Sequence, residues 1–168
     1  MSTALYDLTI PVFLRGLRNL DAVLRKGEDF AEAQGVDPQT LIEARLAPDM
    51  YPLPGQIQRA SDTAKFAAVR LGGIENVSFP DDEQTFDDLH ARIAKTVDFL
   101  KAAPREAIDG REGAEVILKT GGGERRFTGI DYALGFALPN FFFHVTTAYG
   151  ILRHKGVPLG KLDYLGRE

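Results

Sequence analysis

Four long segments with the spacing of amphipathic helices constrain what this chain can fold into. In the first segment, apolar residues recur at intervals of three and four, at Phe13, Leu17, Leu20 and Leu24. This spacing places them on one face of a helix, with charged side chains on the other face. Pro11 indicates that the helix either begins near Thr9 or is kinked there, and Gly35 is a suitable C-terminal stop.

The other three long segments also have helical patterns. A second helix is predicted over residues 56–71, with mostly small inward residues that would let a neighbouring helix approach closely. A third helix, over residues 86–100, has a continuous apolar face. The last helix is predicted over residues 130–155, with an interruption at Pro139. A short helix is expected over Gln39–Leu46.

Two short segments before the last helix have a different pattern. Residues 115–120 and 124–128 are β-branched or alternating, and they flank the glycines at 121–123, which predicts a β-hairpin. The predicted fold class is therefore mainly α: a four-helix bundle with one short extra helix and a small β-hairpin before the last helix. No repeat or linker divides the chain, so we expect a single domain over residues 1–168.

Composition excludes several classes of function. The chain has no cysteine, which excludes disulfides, a catalytic thiol and cysteine-ligated metal centres. The formal net charge is −4 and the basic residues are scattered, so nothing indicates nucleic-acid binding. The N-terminal segment lacks the features of a signal peptide, and no apolar run approaches the roughly 18 residues of a membrane span. We therefore expect a cytoplasmic protein with neither nucleic acid nor membrane as a partner.

The most specific motif lies in the last helix. Residues 139–144 read Pro-Asn-Phe-Phe-Phe-His, and a Gly-Val-Pro follows at 156–158. This stretch resembles the closing helix of DinB/YfiT-like proteins, which carries two histidines four residues apart. Together with the strings at 12–17, 45–50 and 60–65, it resembles a bacterial domain-of-unknown-function family, number 1993, within that superfamily. The resemblance runs nearly end to end and implies a DinB-like bundle.

The resemblance also implies where a metal site would lie. DinB/YfiT-like proteins hold their metal with three histidines, and His144 matches the second of them. Asn140 occupies the place of the first, and Gln56 the place of the third, near the start of the second helix. Carboxamides are poor ligands for zinc or nickel. We therefore predict a degenerate metal site with no cofactor, where zinc or nickel would bind only weakly through these three residues.

A hydrogen-bonded polar cluster is the alternative arrangement for Gln56, Asn140 and His144. Buried polar groups need partners, and these three side chains can satisfy one another. Such a cluster could still line a pocket for a small molecule, with His144 as donor, acceptor or general base. Asp62 is a further pocket candidate, because its carboxylate could orient His144 or balance an arginine.

Four other polar residues are weaker candidates. Arg45 and Asp49 lie in the loop before the second helix, where a mutual salt bridge or a turn cap by Asp49 is expected. His90 lies beside the apolar face of the third helix, and His154 lies in the last turn of the final helix. We expect both histidines to be structural or solvent-facing.

Three functions are compatible with this sequence. The first is a metal-independent protein that binds a small molecule, as a homodimer. The second is a metal-dependent enzyme that transfers or hydrolyses thiol adducts, as the superfamily resemblance implies. The third is a dimeric structural or interaction module without a ligand. We favour the first, because two of the three metal-binding histidines are replaced.

Overall fold

Four long helices form a bundle to which a two-stranded hairpin and several short helices are attached. The structure is a computed structural model that describes residues 4–166. Its elements are α1 (Leu5–Gln34), α2 (Gln39–Ile42), α3 (Leu53–Gly72), α4 (Phe86–Lys101), α5 (Arg105–Ile108), β1 (Glu115–Thr120), β2 (Gly123–Thr128), α6 (Gly129–Tyr132), α7 (Leu138–His154) and α8 (Lys161–Leu165). The predicted fold class is confirmed.

Helices α1 and α7 run in the same direction. The side chain of Phe141 lies against Gly16 and that of Leu152 lies against Gly27, so residue numbers increase in the same direction along both helices. A Cβ atom at Gly16 would lie 2.4 Å from Cε1 of Phe141, which is closer than a side-chain contact allows. The missing side chain therefore lets the phenyl ring pack directly against the backbone of α1.

Helices α3 and α4 are also parallel to each other. Gln58 bonds to Glu83, just before α4, and Ser61 bonds to Thr96 within it. Two parallel helices cannot be joined by a tight turn, so residues 73–85 return along the bundle between them. This long crossover is a feature that helical periodicity alone cannot predict.

Helices α3 and α7 are antiparallel, and their contact carries the candidate site. Gln56 bonds to His144, whereas Thr63, further along α3, bonds to Asn140, which precedes His144 on α7. The four long helices thus follow an up-down-down-up path, in a ring with the order α1, α4, α3, α7. Fully buried small residues line the inner face of α3, at Ala60, Ala64, Ala67 and Ala68.

Several helix ends differ from the predicted ends. α1 begins at Leu5 and contains Pro11, so of the two alternatives the start near Thr9 is wrong. Gly35 ends α1 in the left-handed conformation, as predicted, with φ of 62°. α3 begins at Leu53, three residues before the predicted start, because Pro54 lies in the first turn, where the helix needs no backbone N–H.

The C-terminal third contains the predicted hairpin and an uninterrupted last helix. Strands β1 and β2 pair antiparallel, with Val116 opposite Phe127. The predicted break at Pro139 is absent, because a π-helical turn, Ala133–Ala137, accommodates the missing N–H and the chain remains helical from α6 to α7. The tail contains one further short helix, α8. Within residues 4–166, no helix is both long and apolar enough to cross a membrane.

Candidate functional site

A buried hydrogen bond between α3 and α7 forms the centre of the candidate site. Nδ1 of His144 lies 2.8 Å from Oε1 of Gln56, and Nε2 of Gln56 donates to the backbone oxygen of Tyr51 at 3.0 Å. Gln56 is 1% exposed and His144 is 9% exposed. The first turn of α3 and the loop before it therefore hold the imidazole in one orientation.

These contacts determine which ring nitrogen of His144 carries the proton. The backbone oxygen of Tyr51 can only accept a hydrogen bond, so the amide nitrogen of Gln56 must point towards it. Oε1 of Gln56 then faces the imidazole and requires a donor, which makes Nδ1 the protonated nitrogen. Nε2 of His144 consequently keeps its lone pair.

That lone pair is available for a further contact. Among the residues that the structure describes, none donates a hydrogen bond to Nε2 of His144, and this atom is not sealed from solvent. Burial, and next the positive charge of Arg59, lower the pKa of His144 to about 4. At neutral pH the imidazole is therefore an uncharged hydrogen-bond acceptor.

Two exposed aromatic side chains belong to residues that contact this pair. The ring of Phe143 meets the imidazole of His144 edge-on, with centroids 5.2 Å apart, and Phe143 is 56% exposed. Tyr51 is also 56% exposed, and the guanidinium of Arg59 lies 5.3 Å from its ring centroid. The neutral imidazole of His144 therefore lies against one apolar ring, that of Phe143, and near enough to Arg59 to feel its positive charge.

Asn140 does not join the bonded pair. Its Nδ2 donates to Oγ1 of Thr63 at 2.7 Å, and that hydroxyl donates to the backbone oxygen of Arg59 at 2.6 Å. The three side chains therefore do not form one cluster. Gln56 and His144 bond to each other, whereas Asn140 links α7 to α3 through its hydrogen bond to Thr63.

Asp62 is directed away from His144 towards a buried cation. Its Oδ1 lies 2.9 Å from Nη2 of Arg92 and 3.6 Å from Nζ of Lys65. The carboxylate of Asp62 therefore balances the charge of an arginine and does not orient His144.

Arg92 is a central polar residue that the sequence analysis missed. It is 2% exposed, and it donates to Ser61 and to the carboxylates of Asp62, Asp81 and Glu83. Burial lowers its pKa, but the carboxylates, led by Glu83, outweigh burial and raise it. A signal was present, because Arg92 falls on the same face of α4 as the apolar side chains.

Lys65 completes this network and is also almost fully buried. Its ammonium donates to the backbone oxygen of Val77 at 2.7 Å and lies 4.6 Å from the ring centroid of Phe79. Burial is the main cause of its lowered pKa. Arg92 and Lys65 thus anchor the crossover, residues 73–85, onto α3 and α4.

Arg45 and Asp49 do not form the salt bridge that was one of the two alternatives for this loop. Nη1 of Arg45 instead donates to the backbone oxygens of Pro48 and Met50, at 3.4 and 3.1 Å. Within residues 4–166, no carboxylate oxygen lies within 4.0 Å of this guanidinium. Arg45 therefore shapes the loop that leads into α3 through backbone contacts.

Comparison with known proteins identifies the family. The model of a domain of unknown function, DUF1993, matches residues 5–165. The chain belongs to this family. The fold of this DUF1993 protein is also similar to the crystal structure of a DinB family member from Shewanella denitrificans, with 40% identity and a TM-score of 0.90. The similarity covers 98% of this chain and 93% of that one. None of the curated proteins matches the chain.

The side chains of this DUF1993 protein do not fit the three-histidine metal site that the DinB resemblance implies. Only His144 offers an imidazole, and the carboxamide oxygen of Gln56 already accepts the proton of Nδ1. The amide of Asn140 bonds to Thr63. In the described part of the chain, no group of three or more His, Cys, Asp and Glu side chains is arranged to hold a metal ion. Transition metals favour imidazole or thiolate, and this donor set is too poor.

Proposed function

We propose that this DUF1993 protein is a metal-independent small-molecule-binding protein, with its ligand held at Nε2 of His144. One observation carries the proposal: the bond from Nδ1 of His144 to Gln56 fixes the ring and leaves a neutral acceptor nitrogen without a described partner. A buried side chain in one defined orientation is what specific recognition requires.

The surroundings of His144 define the chemistry of the ligand. An unprotonated Nε2 accepts a hydrogen bond, so the ligand must offer an O–H or N–H group. The positive charge of Arg59 disfavours a cation at this position. The exposed rings of Tyr51 and Phe143 favour an apolar or aromatic body. The proposed ligand is therefore an uncharged or anionic molecule with a hydroxyl or amide donor on an apolar frame.

Phenol and anisole form a matched pair of probes for this site. Both have the same ring, but only phenol can donate a hydrogen bond. We expect phenol to shift the NMR resonance of Nε2 of His144, and anisole to leave it unchanged. A His144→Phe variant should lose the response of neighbouring amides to phenol. Equal responses to both probes, or no response to either, would contradict the proposed recognition.

Metal titrations test the second part of the proposal. The wild-type protein should take up no stoichiometric zinc, whereas a Gln56→His/Asn140→His variant, which supplies two imidazoles beside His144, should bind it. Stoichiometric zinc in the wild-type protein that disappears in His144→Ala would instead support the metal-dependent enzyme.

A dimeric interaction module is the second candidate function. It is favoured by the 56% exposure of Phe143, next to the site, because a second copy could cover this ring. Analytical ultracentrifugation of the wild type and of Phe143→Ser tests the module. A dimer that dissociates in the variant and does not respond to phenol supports it, whereas a monomer in both proteins contradicts it.

A further inference from the structure

A second recess lies on the side of the ring opposite to the α3–α7 contact. It is a groove of about 530 Å³ between the antiparallel helices α1 and α4. Its volume falls within the range of roughly 300–1,000 Å³ that is usual for small-molecule sites. None of the residues that line it belongs to the His144 site, so it requires a separate explanation.

The floor of the groove is apolar and elongated. Leu14 contributes from α1, and Ile93, Ala94 and Val97 contribute from α4. These three residues of α4 lie on one side of the helix, between His90 and Lys101. At about 1.5 Å per residue, the distance along α4 between those two residues is about 16 Å. The floor therefore suits a narrow, extended apolar chain.

The rim carries positive charge without a matching carboxylate. Arg25 pairs with Asp21, at 3.0 Å. Arg18 and Lys101 have no carboxylate oxygen within 4.0 Å in the described part of the chain, although Asp98 also lines the groove. This local excess of positive charge contrasts with the formal net charge of −4 for the whole chain.

His90 supplies an unsatisfied polar atom at one end of the groove. Its Nδ1 bonds to Oδ1 of Asp21 at 2.5 Å. Its Nε2 is buried and has no hydrogen-bond partner among the described residues, and the nearest carboxylate oxygen, from Glu28, is 3.7 Å away. The pair of Asp21 and His90 therefore gives this end of the groove a polar boundary.

We propose that the groove between α1 and α4 binds a linear amphipathic carboxylate as a free molecule. The apolar chain lies on the floor formed by Leu14, Ile93 and Val97, and the carboxylate pairs with one of the two unpaired cations of the rim, Arg18 or Lys101. Neither cation needs to give up an existing ion pair to make this contact. The proposal is independent of the His144 site.

Three ten-carbon probes test the charge and the chain separately. Decanoate, decan-1-ol and decyltrimethylammonium have equal chains but negative, neutral and positive head groups. In calorimetric titrations of the full chain, we expect decanoate to bind about tenfold more tightly than decyltrimethylammonium, with decan-1-ol between them. Amide NMR shifts should map to α1 and α4, and a His144→Phe variant should bind decanoate as the wild type does.

Charge-matched variants test the residues. Arg18→Gln/Lys101→Gln should weaken decanoate binding about tenfold, whereas Arg15→Gln/Lys95→Gln, which removes two exposed cations outside the groove, should leave it unchanged. The chain has no tryptophan, so Ala94→Trp places a unique fluorophore in the groove, and its emission should shift when decanoate is added.

The proposal is overturned by equal affinity for the anionic and cationic probes, by unchanged decanoate binding in Arg18→Gln/Lys101→Gln, or by NMR shifts confined to the neighbourhood of His144. Association with phosphatidylcholine vesicles without any response to monomeric decanoate would also overturn it, because the groove would then serve a membrane surface.

Discussion

Acidification should destabilise this protein through His144. In the folded state burial and Arg59 lower its pKa to about 4, whereas an unfolded chain has the ordinary value of about 6.5. As the pH falls below 6.5, the imidazole therefore binds a proton in the unfolded state but not in the folded state. The stability contributed by the neutral imidazole is complete above pH 6.5, and it is lost as the pH falls towards 4.

The size of the effect follows from the difference in pKa. About 2.5 pH units, at about 1.36 kcal/mol each, give a total near 3 kcal/mol. Between pH 7.5 and pH 5.0 the same two pKa values give a loss of about 2 kcal/mol. His144 is only 9% exposed, so solvent does little to reduce this effect.

Urea unfolding at pH 7.5 and pH 5.0 measures this loss. Other groups also titrate in this range, so the comparison needs a His144→Gln variant, whose amide can still donate to Gln56 but cannot be protonated. We expect the wild type to lose about 2 kcal/mol more than the variant on acidification. An identical pH dependence of the two proteins would refute the reasoning.

NMR titration of the imidazole provides an independent check. The chain has three histidines, so the resonances of His144 can be assigned by comparison with the variant. The ring should remain neutral at pH 5, with its proton on Nδ1. A proton on Nε2 at neutral pH would show that the hydrogen bond to Gln56 does not have the deduced direction. A His144 pKa at or above 6.5 would show that burial and Arg59 do not lower it.

Two further predictions concern stability and are checked by urea unfolding. Arg92→Leu should lower the free energy of unfolding by about 3 kcal/mol, because it removes the cation that pairs with the buried carboxylate of Glu83 and the partly exposed carboxylates of Asp62 and Asp81. Arg126→Leu removes an exposed arginine that also pairs with two carboxylates, and it should cost less than about 1 kcal/mol. Equal losses would contradict the role of burial. Gly129→Ala should lower the free energy of unfolding by about 1–3 kcal/mol, because the new Cβ would lie 2.2 Å from the backbone oxygen of Arg111. Gly113→Ala, which has open space around it, should leave the free energy of unfolding nearly unchanged. An unchanged free energy of unfolding in Gly129→Ala would show that the backbone shifts to accommodate the new Cβ.

Local sequence patterns predict most of the secondary structure correctly. The apolar spacing of α1 and α4 depends only on the helical repeat, so it indicates the buried face without knowledge of the partner helix. Gly35 stops α1 for an equally local reason, since it adopts a left-handed conformation. Pro139 misled the prediction, because a π-helical turn beside it restores the helix.

The candidate site could be predicted only as a set of positions. Resemblance to DinB/YfiT-like proteins placed Gln56, Asn140 and His144 near one another, and α3 and α7 do bring them to the same interface. Their hydrogen-bond partners were not predictable. The amide of Asn140 bonds to Thr63, and the amide of Gln56 bonds to the backbone oxygen of Tyr51. Hydrogen-bond partners depend on distances between helices, which periodicity does not contain.

By itself, the sequence determined the four amphipathic helices, the hairpin, the family and the replacement of two histidines by carboxamides. Only the tertiary structure decided that α3 and α4 are parallel, that Arg92 is buried among carboxylates, and that His144 keeps a free lone pair on Nε2. The physical reason is the range of the interactions. Helix formation depends on neighbours within a few residues, whereas the burial of a charge and the proton position of an imidazole depend on groups that meet only after the chain has folded.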